Sequence, residues 1–549
     1  MQAASYSISA RYTRAKWRAA VTLLLLVSAA HAADPGAVDG IVRNSATQAP
    51  VPHALVRLVC ESGPGYVETT GDDGAFHFQK VEPGEYRIEV ERAGFIAKEF
   101  DILDLAPGHA ARELILTAVP LAALIGKVVD SEGEPVPGAQ VTAIRASWVR
   151  GKRTWLSTGW VEADERGEFR VSRLEAGRYR LFASPAYGSS PAFAIWEGPG
   201  TPESRLAPAY YPSVPDLDAA AILDVAAGQE LGGFELKLPM RPSFHVRGRA
   251  ETAPDSRGPI PTIVSAVKID NGRWTDWSAI HGQLNQDGTF DLAGVQAGSY
   301  QIYVGRFGRA LTESIGVKIT ARDVNGVALT PLRPAKVQVH CIFDGGPSAE
   351  GGTPAFQLRR IGRNYAGAVI ADDDWTFASL HQSDANLRFQ NVPSGVYEPL
   401  LAPGGRQYVE SVTYNGQPVT DGAIDVAGGA DGDLEVVLAA ATASIGGKLK
   451  TPGNAVAVIA AENATPGNPA VRFATVSPDG RFSVPYLPPG RYLVLGVPSG
   501  GSWPWENAGF VKLLSGEATE VELARDGSAR LEVALVPEQT LERAQERIP

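Results

Sequence analysis

Asp73-Gly74-Ala75-Phe76-His77-Phe78-Gln79-Lys80-Val81-Glu82-Pro83-Gly84-Glu85-Tyr86 is the stretch whose pattern decides the fold. Asp-Gly reads as a turn, because an Asp side chain can bond its own backbone and Gly accepts positive φ. Phe76 and Phe78 stand two apart, so a pleated strand turns both to one face; Tyr86, Ile88 and Val90 do the same one strand later. Two half-buried strands joined at a Gly84 corner are expected. A Tyr at such a corner buries its ring while its hydroxyl bonds backbone.

The same measure returns four more times. The copies are Gly167, Phe169, Val171, Gly177 and Tyr179; Gly288, Phe290, Leu292, Gly298 and Tyr300; Leu387, Phe389, Gly395 and Tyr397; and Gly480, Phe482, Val484, Gly490 and Tyr492. In every copy the corner Gly lies 8 residues after the first apolar residue and the Tyr 2 beyond it. The corner glycines fall at 84, 177, 298, 395 and 490, giving gaps of 93, 121, 97 and 95 residues. Each gap is near the roughly 100 residues of an immunoglobulin-like sandwich. The predicted architecture is all-β, with five tandem β-sandwich domains at 34–119, 121–240, 243–333, 335–441 and 444–537, followed by a tail at 538–549.

Upstream of the phrase, Val38-Asp39-Gly40-Ile41-Val42 leads to Pro52-His53-Ala54-Leu55-Val56-Arg57-Leu58, in which Ala54, Val56 and Leu58 alternate as a strand should. Gly126-Lys127-Val128-Val129 and Pro137-Gly138-Ala139-Gln140-Val141 repeat this opening. Together with Asp-Gly-x-Phe and Pro-Gly-x-Tyr, these motifs resemble the carboxypeptidase regulatory-like domain. The resemblance implies a transthyretin-like β-sandwich and a secreted, bacterial-type protein without the peptidase domain. It is strong in the first copy, good in the second and fifth, and weak in the fourth. There Ala385-Asn386 replaces Asp-Gly, Leu387 stands for the first Phe, and Pro399 follows Tyr397. Pro cannot donate to a ladder, so that strand is expected to be an edge or to break.

The N-terminus reads as an address. Arg11, Arg14, Lys16 and Arg18 precede an apolar run from Ala19 to Ala30, and Ala30-His31-Ala32 offers small residues to a signal peptidase, so 1–32 is expected to be a signal peptide cleaved after Ala32. The run is short for a span, which needs roughly 20 residues. Cleavage removes four basic residues and takes the net charge from −11 to −15. Such an acidic product argues against nucleic acid as a partner. The two cysteines, Cys60 and Cys341, fall in different repeats, which excludes a disulfide framework within a domain. An exported protein is expected, periplasmic, cell-surface or extracellular, with no transmembrane segment after cleavage. The tail from Glu538 to Pro549 is polar and is expected to fray, with at most a helical turn.

The second repeat carries extra aromatic residues: Trp148, Trp155 and Trp160 on an expected hairpin with a basic tip, then Tyr187, Phe193, Trp196, Tyr210 and Tyr211. Trp148, Trp155, Trp160, Tyr210 and Tyr211 are the candidate ligand-binding residues, since loop aromatics stack on sugar rings or anchor protein partners. The competing account is that they cover the sandwich or plug a domain junction. Trp274 with Trp277, and Trp503 with Trp505, pose the same question.

Catalytic signatures are missing. None of the eight histidines has a Glu three residues later, so the zinc site of the parent carboxypeptidases is absent. Neither Gly-x-Ser-x-Gly nor the common nucleotide loops occur. Asp372-Asp373-Asp374 and Asp431-Gly432-Asp433 lack calcium-loop spacing and read as solvated turns. No metal and no cofactor is expected. The favoured function is a non-enzymatic scaffold for a protein or glycan of the cell envelope; the alternative is carbohydrate binding through the aromatics of the second repeat.

Overall fold

The computed structural model describes residues 34–548 apart from 61–64, 97, 150–151, 186–193, 196–202, 252–261, 271–272, 307–308, 345–355, 362–374, 378–385, 402–405, 451–454, 478 and 499–502. The expected signal peptide, Tyr187, Phe193, Trp196 and Asp372-Asp373-Asp374 lie outside the described residues.

The chain is all-β, and one arrangement of two facing sheets recurs along it. The first repeat contains β1 (Gly36–Asn44), β2 (Leu55–Val59), β3 (Tyr66–Thr69), β4 (Ala75–Val81), β5 (Gly84–Glu91), β6 (Lys98–Leu105) and β7 (Ala110–Ala118). One sheet has the order β4-β1-β7, with β1 antiparallel to β4 and parallel to β7; the other has the order β3-β2-β5-β6 and is antiparallel throughout. Val38, Phe76 and Phe78 from the first sheet meet Val56, Tyr86 and Ile88 from the second in one buried cluster. The Asp73-to-Tyr86 phrase thus contributes a strand to each sheet, which is how it specifies a sandwich.

The same three-strand arrangement recurs in later repeats, in the fourth as part of a five-stranded sheet. Ala122–Asp130 lies between Glu168–Leu174 and Glu230–Leu238, and Phe244–Ala250 between Thr289–Val295 and Val324–Leu329. Ala335–Phe343 lies between Asn386–Val392 and Gly432–Ala440, and Ala443–Leu449 between Arg481–Leu487 and Ser528–Val533. We number these paired-sheet units sandwiches 1 to 5.

The corner behaves as its spacing predicts. Tyr86, Tyr179, Tyr300, Tyr397 and Tyr492 are buried. Tyr86 Oη donates to Glu82 O (2.8 Å), Tyr179 to Glu175 O (2.7 Å), Tyr397 to Pro393 O (2.9 Å) and Tyr492 to Pro488 O (2.7 Å). Each hydroxyl closes the loop four residues upstream, satisfying a polar tip that burial would otherwise strand.

A second rule emerges from the register. The first Phe of the phrase sits opposite a Gly of the central strand: Gly40 opposite Phe76, Gly126 opposite Phe169, Gly248 opposite Phe290 and Gly447 opposite Phe482. A Cβ on Gly40 would lie 2.5 Å from both Phe76 Cζ and Leu114 O, and at Gly126 it would meet Phe234 O at 2.2 Å. The ring lies where a side chain would otherwise stand. Sandwich 4 exchanges both partners, pairing Val339 with Leu387. Its divergence from the motif is therefore a coupled change of volume.

Of the two outcomes expected at Pro399, the structure shows the edge: Gly395–Leu401 runs through it, with Leu358 opposite on one side, while the other neighbour, Ile424–Val426, reaches only Tyr397. The missing N–H thus falls where the strand has become an edge. The C-terminal tail is not frayed. Glu538–Arg547 is a helix whose Leu541 and Ala544 are buried, with Ile548, against Val458, Leu495 and Phe510 of sandwich 5. Leu541, Ala544 and Ile548 share one helical stripe, a signal hidden by the polar composition around it.

Candidate functional site

In sandwich 2, β8 (Ala122–Asp130), β9 (Gln140–Val149), β10 (Lys152–Glu162), β11 (Glu168–Leu174) and β12 (Gly177–Ser184) include the strands that carry the candidate aromatics. The sheet order is β10-β9-β12 followed by Ala209–Tyr210. Val141, Ala143, Leu181 and Ala183 face the core. The alternate residues Thr142, Ile144, Arg180 and Phe182 therefore face outward. Trp155 stands opposite Ala146, and Trp160 opposite Thr142, which puts both indoles on this outer face.

The five candidates divide by what covers them. Trp155 is 8 % exposed and Tyr210 3 % exposed, and both belong to a buried cluster with Ile144, Phe182 and Leu217. Trp277 of sandwich 3 packs on that cluster and donates from Nε1 to Tyr210 Oη at 3.0 Å. The Arg180 guanidinium lies 4.2 Å from the Trp155 ring centroid and 3.9 Å from the Asp218 carboxylate. Burial raises the Tyr210 phenol pKa above its usual value, so it stays a neutral hydrogen-bonding group. Tyr210 thus takes part in the junction between sandwiches 2 and 3, and Trp155 lies beneath Arg180 in the same buried cluster. An outward sheet face lined with aromatics needs a cover, and Leu217 and Ala220 of the same sandwich supply it together with Trp277 of the next.

Tyr211 is half-buried on the core of its own sandwich, edge-on to Phe234 with ring centroids 5.3 Å apart. Trp148 is half-buried against a cluster of sandwich 5 that contains Leu495, Trp505 and Phe510. Trp160 alone of the five is exposed, at 58 %.

Trp160 borders a cleft of about 240 Å³ between sandwiches 2 and 3. Gln140, Thr142 and Ser157 contribute from β9 and β10; Trp277 and His281 contribute from the strand Arg273–Gln283 of sandwich 3. His281 stands opposite Ser265 in the ladder, and its Nδ1 shares a 3.0 Å hydrogen bond with Ser265 Oγ that fixes the ring. Burial lowers the His281 pKa, so the imidazole is neutral at neutral pH. Ser265 is itself buried at 5 % exposure. The pair is a cross-strand contact rather than an exposed nucleophile and base. Composition and motifs did not single out this cleft, because half of it comes from a different repeat.

Other junctions use polar clamps. Asn468 of sandwich 5 donates from Nδ2 to Val409 O (2.7 Å) and accepts from Val409 N (2.9 Å), holding a strand of sandwich 4 as a neighbouring strand would. Arg359 pairs with Glu398 and reaches Glu506 Oε1 at 2.7 Å. Ser394 Oγ donates to Glu313 between sandwiches 4 and 3 (3.0 Å). Asp433 faces His340 at 3.0 Å, and Asp431 accepts from Lys336 N. Among the described residues no three acidic, His or Cys side chains gather as a metal site. Cys60 and Cys341 are free and half-buried. Among the described residues no helix is long and apolar enough to cross a membrane.

Sheet order, corner tyrosines and the opposed Gly–Phe pairs describe a family of domains. Residues 37–117 and 123–195 match the carboxypeptidase regulatory-like domain. The first match spans sandwich 1 from β1 to β7; the second covers β8 to β12 and ends before the closing strand of sandwich 2. No curated protein matches the chain. Among solved structures, the chain is similar to the Bacillus anthracis TIE protein at 15 % identity and a TM-score of 0.17, over 54 % of this chain and 51 % of that one. The chain thus spans about half the length of that protein. It is also similar to a streptococcal ancillary pilin (12 % identity, TM-score 0.17, 54 % of this chain and 99 % of that one). The minor pilin GBS52 of Streptococcus agalactiae is similar at 12 % identity and a TM-score of 0.20, over 38 % of this chain and 97 % of that one.

Proposed function

We propose that the chain is an exported, non-enzymatic scaffold in which five sandwich domains, bounded at 34–119, 121–240, 243–333, 335–441 and 444–537, hold an envelope partner at fixed spacing. The observation that carries this reading is where the specific side chains lie. Buried aromatics and paired polar groups sit at junctions, as in the Trp277–Tyr210 and Asn468–Val409 contacts. Those contacts fix one domain against the next, which is what a spacer requires and an isolated binding module does not. The carboxypeptidase regulatory-like segments and the lack of catalytic signatures in the sequence support a non-catalytic role.

The test is fractionation of cells making a C-terminally tagged chain, with N-terminal sequencing and photo-crosslinking from exposed sandwich positions. The reading predicts an exported chain beginning at Ala33 and crosslinks to a defined envelope component. A cytoplasmic chain that keeps Met1, or hydrolytic turnover by the purified protein, contradicts it.

A further inference from the structure

We propose that the cleft between sandwiches 2 and 3 binds the neutral ring of a saccharide, with Trp160 as the stacking platform. The scaffold reading does not require this site, and the site stands on separate observations. An indole left 58 % exposed at the mouth of a cleft keeps a large apolar face in water, a cost that a stacking ligand would relieve. The cleft, at about 240 Å³, is smaller than the roughly 300–1,000 Å³ typical of sites for drug-sized ligands and suits a single ring.

Its lining selects the chemistry. Thr142 and Ser157 bring hydroxyls and Gln140 an amide, groups that both donate and accept, as a ring edged with hydroxyls requires. Among the described residues no Lys, Arg, Asp or Glu lines the cleft, and His281 is uncharged at neutral pH, so nothing there compensates a phosphate or carboxylate. Burying an unpaired charge would be strongly unfavourable, which disfavours acidic ligands. Thr142 is buried and Ser265 fixes the His281 ring, so the floor is preorganised. The Trp277–Tyr210 hydrogen bond holds the two walls together, which makes the site a property of the domain pair.

The full chain is applied to an array of neutral and acidic glycans, in parallel with Trp160→Ala, Trp160→Phe and Ser157→Trp. Melting temperatures establish that each variant is folded. Binding to neutral glycans is expected, falling at least tenfold in Trp160→Ala, largely kept in Trp160→Phe and lost in Ser157→Trp, whose indole would fill the cleft. No binding to any glycan overturns the proposal, as does binding confined to acidic glycans or binding that Trp160→Ala leaves unchanged. None of these results bears on export or crosslinking, so the scaffold reading stands or falls separately.

Discussion

Tyr86 shows how one side chain can serve a fold without serving a ligand. Its ring is buried and its hydroxyl closes the Glu82 loop, and Tyr179, Tyr397 and Tyr492 repeat that hydrogen bond. Tyr86→Phe is expected to cost about 1 kcal/mol, the net value of one hydrogen bond, and Tyr86→Ala about 3–5 kcal/mol. Denaturant titration of sandwich 1 checks both. The pair of Val339 and Leu387 gives a sharper residue-scale test, since the other four repeats place Gly and Phe there. Leu387→Phe alone overpacks against Val339 and is expected to destabilise sandwich 4 by about 1–3 kcal/mol. Adding Val339→Gly should recover most of that loss, so the cycle should show favourable coupling; additive effects would mean the ring does not occupy the Gly position. The Leu387 half of this exchange was legible in the sequence. The Val339 half was not, because only the ladder register sets the two residues opposite each other.

At the scale of elements, the edge strand Arg273–Gln283 carries both Trp277 and His281 to sandwich 2. The pKa of His281 is lowered from 6.5 by burial. As pH falls through about 6.5 the unfolded chain takes up this proton before the folded one. Stability from this group is therefore present above pH 6.5 and lost below it. Urea midpoints at pH 7 and pH 5.5 should converge in His281→Gln relative to the parent; an unchanged pH dependence would remove His281 as a contributor. Burial likewise pushes the Cys341 thiol up to about 11, and this thiol should resist alkylation at neutral pH in the folded chain. The C-terminal helix shows why element reading from composition fails. Leu541, Ala544 and Ile548 are three apolar residues in a charged segment, and what makes them a helix face is a receiving surface formed by Val458, Leu495 and Phe510. Isolated helices of this length are marginal in water.

For the whole molecule, periodic phrases in the sequence located the sandwiches because each repeat buries its own core, so its signal is local. The junctions were not legible in the same way. Trp155, Trp160 and Tyr210 look alike in sequence, yet two are buried in a cluster that Trp277 of sandwich 3 joins and one is left exposed. Part of that difference comes from a residue distant in the chain, since Trp277 bonds Tyr210 across 67 residues; other junctions reach further, as in Arg359 with Glu506, 147 residues apart. Asn468→Ala should remove both hydrogen bonds to Val409 and leave a buried strand segment unpaired, weakening the hold of sandwich 5 on sandwich 4 by about 1–3 kcal/mol. Calorimetry should then resolve two unfolding transitions where the parent shows one. Trp148 of sandwich 2 rests on sandwich 5, and the junction contacts together are expected to hold the sandwiches in one fixed arrangement. The most direct measurement is a spin-label distance distribution between Arg153→Cys and Glu517→Cys, with Cys60 and Cys341 replaced by Ser. A single narrow distribution that broadens in Trp148→Ala is the predicted result; a broad distribution indifferent to that substitution would contradict the account.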